Sequence, residues 1–202
     1  MSAAFVVWDS ICKIKLSSNM NIIIESFKEL KIGQEITTSL GTFRVTSYIA
    51  TGRCCEVYKG EQKLLKKKVA LKVFRRHQNY GGALQRELHF LHRLSASDSN
   101  IVEHLGELKW ENRDILVQEL LTCTLRDIFL NTDDGACSPW FILTLVTDLL
   151  RGLAYIHENE IVHADIKPTN LLWDAKTSSF KIVDFGLSFK TTEKYSHIIQ
   201  SR

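Results

Sequence analysis

From Thr42 onward, short runs rich in β-branched and aromatic residues alternate with charged or turn segments: Phe43 to Ile49, Glu56 to Tyr58 and Val69 to Phe74. Runs of this kind predict three antiparallel strands. Beyond Gly81 and Gly82, Leu84, Leu88, Leu91 and Leu94 recur at helical spacing, which predicts a helix over 83–94 with Glu87 beside its apolar stripe. Two more strand-like runs follow, at 102–108 and 114–119, and then a short helical stretch over 125–130. Ser138 and Pro139 open a long helix, one as cap and the other at the first helical position. That helix should run to about His157, and its apolar residues Leu143, Val146, Leu150, Leu153, Ala154 and Ile156 form a pattern wide enough to need cover on more than one side. Two short strands flank 174–179, and a polar tail runs to Arg202. Residues 1–41 carry no motif, only a stretch over 22–30 with helical character, and read as an N-terminal extension. The prediction is an α+β chain of two lobes, a five-stranded antiparallel lobe with one helix over about 42–121 and a mainly helical lobe over about 122–202, with a cleft between them.

Charge and cysteine content narrow the classes of partner. Net charge is +3 over 202 residues, with acidic and basic residues interspersed, so there is no basic stripe of the kind that binds nucleic acid. The basic run Lys66-Lys67-Lys68 reads as a solvated turn, because an apolar strand follows at once. Five cysteines, at 12, 54, 55, 123 and 137, form no C-x-x-C pair and are odd in number, which favours a reducing compartment. No run of about 18 apolar residues is present, and the apolar start lacks the basic region of a signal peptide. The expectation is an intracellular chain that engages neither membrane nor nucleic acid directly.

Candidate chemistry lies along the chain in a consistent order. Ile49 to Val57, IATGRCCEV, reads as a strand, a tight turn at Gly52 and a returning strand that can lie over phosphates, with Ala50 and Cys55 where further glycines would ease the approach. Val69-Ala70-Leu71-Lys72 is an apolar strand ending in a lysine. A lysine buried there needs a carboxylate, and Glu87 on the next helix is the candidate. His163-Ala164-Asp165-Ile166-Lys167-Pro168-Thr169-Asn170 then precedes Asp184-Phe185-Gly186. Taken singly, each carboxylate reads as a surface or capping group; the ordered set carries the reading. Phosphoryl transfer needs phosphate charge neutralised and a hydroxyl held in line, and these residue types meet both needs.

These motifs make the chain similar to the eukaryotic protein kinase superfamily over roughly 42–202. The resemblance implies a serine/threonine protein kinase with a two-lobed kinase fold, ATP and Mg2+ as cofactors, and a protein substrate offering a Ser or Thr hydroxyl. It implies Asp165 and Lys167 as catalytic residues and Asn170 and Asp184 as magnesium ligands. It also implies a nucleotide site formed by Ile49, Ala50, Gly52, Val57, Ala70, Lys72, Glu87, Gln118, Glu119, Leu121 and Leu172. Cys137-Ser138-Pro139-Trp140, the loop His163 to Pro168 and the run Phe180 to Lys190 resemble the stathmin-interacting kinase branch. That branch implies a nuclear enzyme acting on proline-directed sites, normally with a C-terminal RNA-recognition-like motif.

Three departures qualify the expectation. Ala164 stands where many kinases carry an arginine that pairs with a phosphorylated activation loop, so activity is expected not to require that phosphate. A single glycine in the 49–57 segment predicts weaker ATP binding. The chain ends within the activation segment of the resembled fold, so a marginal second lobe and little transfer by the 202 residues alone are expected. A nucleotide-binding pseudokinase or scaffold is the alternative reading.

Overall fold

The computed structural model describes residues 30–75, 81–94, 99–132 and 137–192. The helical character over 22–30, apart from Leu30 itself, and the tail beyond 192 lie outside the described residues. In the first lobe, β1 (Glu35–Thr38), β2 (Gly41–Thr51), β3 (Cys55–Gln62), β4 (Lys67–Phe74), β5 (His104–Trp110) and β6 (Arg113–Glu119) form one sheet in the order β1-β2-β3-β4-β6-β5. Every neighbouring pair is antiparallel. Helix α1 (Gly81–Arg93) connects β4 to β5 in the chain.

The sheet has six strands rather than the five expected, and it begins inside the segment read as an extension. Ile36 on β1 is 3% exposed and Leu30 is 4% exposed, both in one apolar cluster with Phe43, Val45 and Leu71. A four-residue strand with one apolar side chain is too short for alternation to announce it; burial against β2 decides it.

Strand alternation sorts β4 into two roles. Val69, Leu71 and Val73 pack with Ile115 and Val117 in the cluster on one face of the sheet. The period of two then turns Ala70, Lys72 and Phe74 to the opposite face. Their cross-strand partners on β6 share that face, because Ala70 pairs with Gln118 and Lys72 with Leu116. Both faces are covered: on the second, Phe74 and Leu116 join the larger apolar core, and Lys72 lies buried beside them.

The second lobe contains α2 (Leu125–Asn131), α3 (Pro139–Glu158) and the short strands β7 (Cys123–Thr124), β8 (Ile161–Val162), β9 (Leu171–Asp174), β10 (Ser179–Ile182) and β11 (Phe189–Lys190). Thr124 and Asp127 close a reciprocal capping box on α2. Ser138 caps α3 by accepting from the Phe141 N–H, with Pro139 in the first turn, as expected. Strands β10, β9 and β7 form one small sheet, and β11 pairs with β8.

Helix α3 lies close on β10. A Cβ at Gly152 would stand 2.8 Å from Ile182 Cδ1 and 3.2 Å from the Asn100 carbonyl, so only glycine permits this approach. Buried Asp148 accepts from the Phe180 N–H at 2.8 Å, and Ile156 is fully buried. Phe141, Leu145, Leu149, Leu153 and Tyr155 are partly buried against the same core, while the opposite face is bare: Trp140 is 77%, Leu143 55% and Leu150 60% exposed. By length and a mean hydropathy of 1.3, α3 is also long and apolar enough to cross a membrane, although polar residues interrupt its apolar run. The lobes are stitched where Val102 N–H donates to Ile182 O at 3.0 Å and Ile182 N–H donates to Asn100 O at 2.8 Å.

Candidate active site

Lys72 projects from β4 into the cleft and α1 delivers Glu87 opposite it. The lysine Nζ donates to both carboxylate oxygens of Glu87, at 2.8 and 2.6 Å, and to Asp184 Oδ1 at 2.9 Å. The side chains of Lys72 and Glu87 are 9% and 1% exposed. Burial alone would lower the Lys72 pKa, but the two carboxylates outweigh it and hold the ammonium above its ordinary value. Burial pushes the Glu87 carboxyl up, against the pull of Lys72. Asp184, whose side chain is 41% exposed, is also pushed up by burial, yet Lys72 wins and keeps its pKa below the usual carboxylate range. Residues 112 positions apart in sequence thus share one ion cluster.

The loop after β8 forms a second cluster beside it. Lys167 Nζ donates to Asp165 Oδ2 at 2.6 Å. The Asn170 amide donates to the Asp165 carbonyl and to Asp165 Oδ2, each at 2.9 Å. Pro168–Asn170 form a 3-10 turn that brings Asn170 back under Asp165.

His163 ties the two clusters together. The Asp165 N–H donates to His163 Nδ1 at 3.2 Å, so that nitrogen is unprotonated and Nε2 donates to the Val183 carbonyl at 3.0 Å. The Val183 N–H in turn donates to the Asn170 carbonyl at 3.0 Å. Burial lowers the His163 pKa and favours this neutral form. The ring also meets Phe185, fully buried, with centroids 4.8 Å apart. Ala164 and Asp184 take left-handed backbone, at φ 64° and 68°, a conformation costing an L-residue roughly 1–2 kcal/mol. Such strain survives where its surroundings over-determine it, here one residue from each end of the His163–Val183 bond.

The remaining positions expected around a nucleotide are spread over β2, β3, β4, β6 and, in the second lobe, β9. Ile49, Ala50 and Val57 lie on β2 and β3, with Ala50 paired to Val57, and the turn closes through Gly52 N–H to Cys55 O at 2.8 Å. Ala70 and Gln118 are cross-strand neighbours. Leu121 is buried in the cluster that Val57 and Leu172 pack against. Gln118 is 7% exposed and its Nε2 is buried with no hydrogen-bond partner. The Glu119 carboxylate accepts from Lys181 Nζ at 2.6 and 2.8 Å and from the Glu103 N–H at 2.7 Å, so its side chain serves the junction between the lobes.

Two contributors have no distinctive signal in the sequence. Lys181 reads as a surface strand residue, and Arg86, whose Nη1 donates to the Gly186 carbonyl at 2.9 Å, as a helix-face charge. Cys55 is buried, and burial pushes its thiol up to about 12; burial raises Cys54 as well. Neither is a thiolate nucleophile at neutral pH.

The protein kinase domain family model matches residues 43–202. "Serine/threonine-protein kinase Kist" of Mus musculus and of Homo sapiens are each 41% identical over 86 residues, covering 43% of this chain and 20% of the relative. "Probable serine/threonine-protein kinase dyrk2" of Dictyostelium discoideum is 29% identical over 165 residues, 79% of this chain and 18% of that protein. The matched stretches thus span about a fifth of the length of these relatives. A crystal structure of a kinase domain superposes with a TM-score of 0.75 at 20% identity, covering 83% of this chain and 56% of that one, which shows the fold.

Proposed function

The chain belongs to the protein kinase family, and from that premise we propose that it binds ATP with magnesium in the cleft and transfers the γ-phosphoryl group to a serine or threonine hydroxyl of a protein. The observation that carries this reading is the convergence of Glu87 and Asp184 on one buried ammonium, that of Lys72. Such a buried ionic cluster is weak evidence for stability, since apolar residues of similar volume often do as well. It is well suited to a polyphosphate, whose negative charge Lys72 can take up.

The donor set fits the cofactors. Asn170 spends both amide protons on Asp165, which leaves its Oδ1 as the oxygen to face a cation, and Asp184 supplies a carboxylate. Oxygen donors of this kind suit magnesium, which when bound supplies neutralisation of phosphate charge. The buried, unpartnered Gln118 Nε2 is a donor whose desolvation costs about 1–3 kcal/mol until an acceptor meets it, and a purine ring offers such acceptors. Val57, Ala70, Leu121 and Leu172 supply apolar walls for that ring.

Asp165 would accept or orient the hydroxyl proton, and Lys167, 2.6 Å from it, would face the charge of the group in transfer. The names of the relatives, serine/threonine kinases, support this class of acceptor. Transfer of radiolabelled phosphate from ATP to a serine- and threonine-rich protein mixture, compared between the parent and Asp165→Asn, tests the proposal. Equal labelling by the two would remove it.

A scaffold that binds nucleotide without transfer is the second reading, favoured by the bare face of α3. Saturable ATP binding with no labelling of any acceptor would select it. By resemblance we also propose an intracellular, nuclear location, which exclusion of the tagged protein from nuclei would overturn.

A further inference from the structure

Away from the cleft, at the far end of α1, three side chains converge that phosphoryl transfer does not use. His92 lies in the last turn of α1, and His104 and Glu107 lie on β5. Among the described residues these three bring one ligand atom each within 4.8 Å of one another. His92 Nε2 stands 3.6 Å and His104 Nε2 4.0 Å from the same oxygen, Glu107 Oε1. The two imidazole centroids are 5.0 Å apart.

The convergence depends on a built irregularity in β5. Residues three apart on a regular strand point to opposite faces, so His104 and Glu107 should not meet. A register shift between His104 and Gly106 inserts the extra residue of a β-bulge and restores them to one side. Gly106 holds that bulge at φ 145°, a backbone that strains any L side chain placed there. Burial fixes the His104 ring, whose side chain is 12% exposed, while His92 and Glu107 are 57% and 49% exposed and open to an arriving ion.

We propose that His92, His104 and Glu107 form a site for a borderline-soft transition-metal dication, with Zn2+ the metal it fits best. Two imidazole nitrogens and a carboxylate oxygen are the zinc donor types, and a hard ion such as Mg2+ prefers an all-oxygen set. At bond lengths of about 2.0–2.2 Å, ligand atoms around a four-coordinate zinc lie roughly 3.3–3.6 Å apart, so the present 3.6 and 4.0 Å separations from Glu107 need only a small inward shift of exposed side chains. Solvent fills the fourth position. The ion would join the end of α1 to β5, and so hold against the sheet the helix that carries Glu87. This site is independent of the phosphoryl-transfer reading.

Calorimetric titration of the full 202-residue chain with Zn2+ tests it, beside His92→Ala and Glu107→Gln, both at exposed positions where folding is secure. One zinc should bind the parent, and each substitution should weaken it at least about tenfold, the loss that follows even from removing an outer partner of a ligand. Zinc should raise the parent's melting temperature more than that of His92→Ala at the same zinc concentration. Equal affinity in all three proteins, or no saturable zinc binding by the parent, would overturn the assignment.

Discussion

Strand β4 and helix α3 are comparably apolar, and the structure treats them in opposite ways. On β4, Val69, Leu71 and Val73 are at most 1% exposed, and even Lys72 on the reverse face is 7% exposed. On α3, Ile156 is fully buried while Leu143, Val146 and Leu150 are 45–60% exposed. A strand in mid-sheet has both edges paired, here to β3 and β6, and its apolar side chains pack with those of Leu30, Phe43, Val45 and Leu108 on the same face. A helix wide in its apolar pattern needs partners on several sides, and among the described residues the side facing β10 and β8 has them while the side of Leu143, Val146 and Leu150 does not. Apolarity states the need for cover; topology decides whether the cover is local.

The largest effect that would sharpen this contrast is chemical. Asp165→Asn should cut phosphoryl transfer by about 10^2–10^4-fold, the usual contribution of a positioned acid–base group, with ATP binding retained in a filter or fluorescence assay. Next comes the ion pair behind β4. Lys72→Met should cost about 3–5 kcal/mol in urea unfolding, because it leaves the fully buried Glu87 without its charge partner. Adding Glu87→Leu should recover most of that stability without recovering transfer. A single variant as stable as the parent would show that the pair is not buried as described.

Helix α3 offers the direct test of the comparison itself. Ile156→Ala should cost about 2–5 kcal/mol, whereas Leu150→Ser should stay within about 0.5 kcal/mol in the same unfolding experiment. A Leu150 variant as damaging as the Ile156 one would mean that the outer face is covered after all.

The smallest effect concerns pH. His163 has its pKa lowered from 6.5 by burial, so below that value the unfolded chain binds a proton that the folded chain does not. Stability should therefore fall as pH drops from 6.5 toward the lowered folded value and be unaffected by this group above 6.5. Chemical denaturation across that window should show a shallower slope in His163→Asn; an unchanged slope would place the titration elsewhere.

Much of the site is legible in the amino-acid order, because its members sit in short motifs. Lys72 closing an apolar strand, Glu87 beside a leucine stripe and the Asp165 to Asn170 loop are all readable there, and in the fold they meet at 2.6–2.9 Å. The illegible contacts are long-range and chemically plain. Lys181 finds Glu119 across 62 residues with nothing local to mark it. Strand β1 leaves no local mark because four residues with one buried isoleucine give alternation no length to act on. The His92–His104–Glu107 convergence is hidden by a bulge, which reverses the face that simple counting assigns.

By itself, then, the order of residues determined most of the strands and helices, β1 apart, and which side chains were candidates for the chemistry, since both follow from periodicity and from motifs a few residues long. Only the folded chain decided which distant groups would share a proton, a charge or a metal-sized space. Those outcomes depend on ladder register, on the bulge at Gly106 and on the left-handed turns at Ala164 and Asp184, where a change of one residue in phase or one dihedral redirects a side chain to the opposite face.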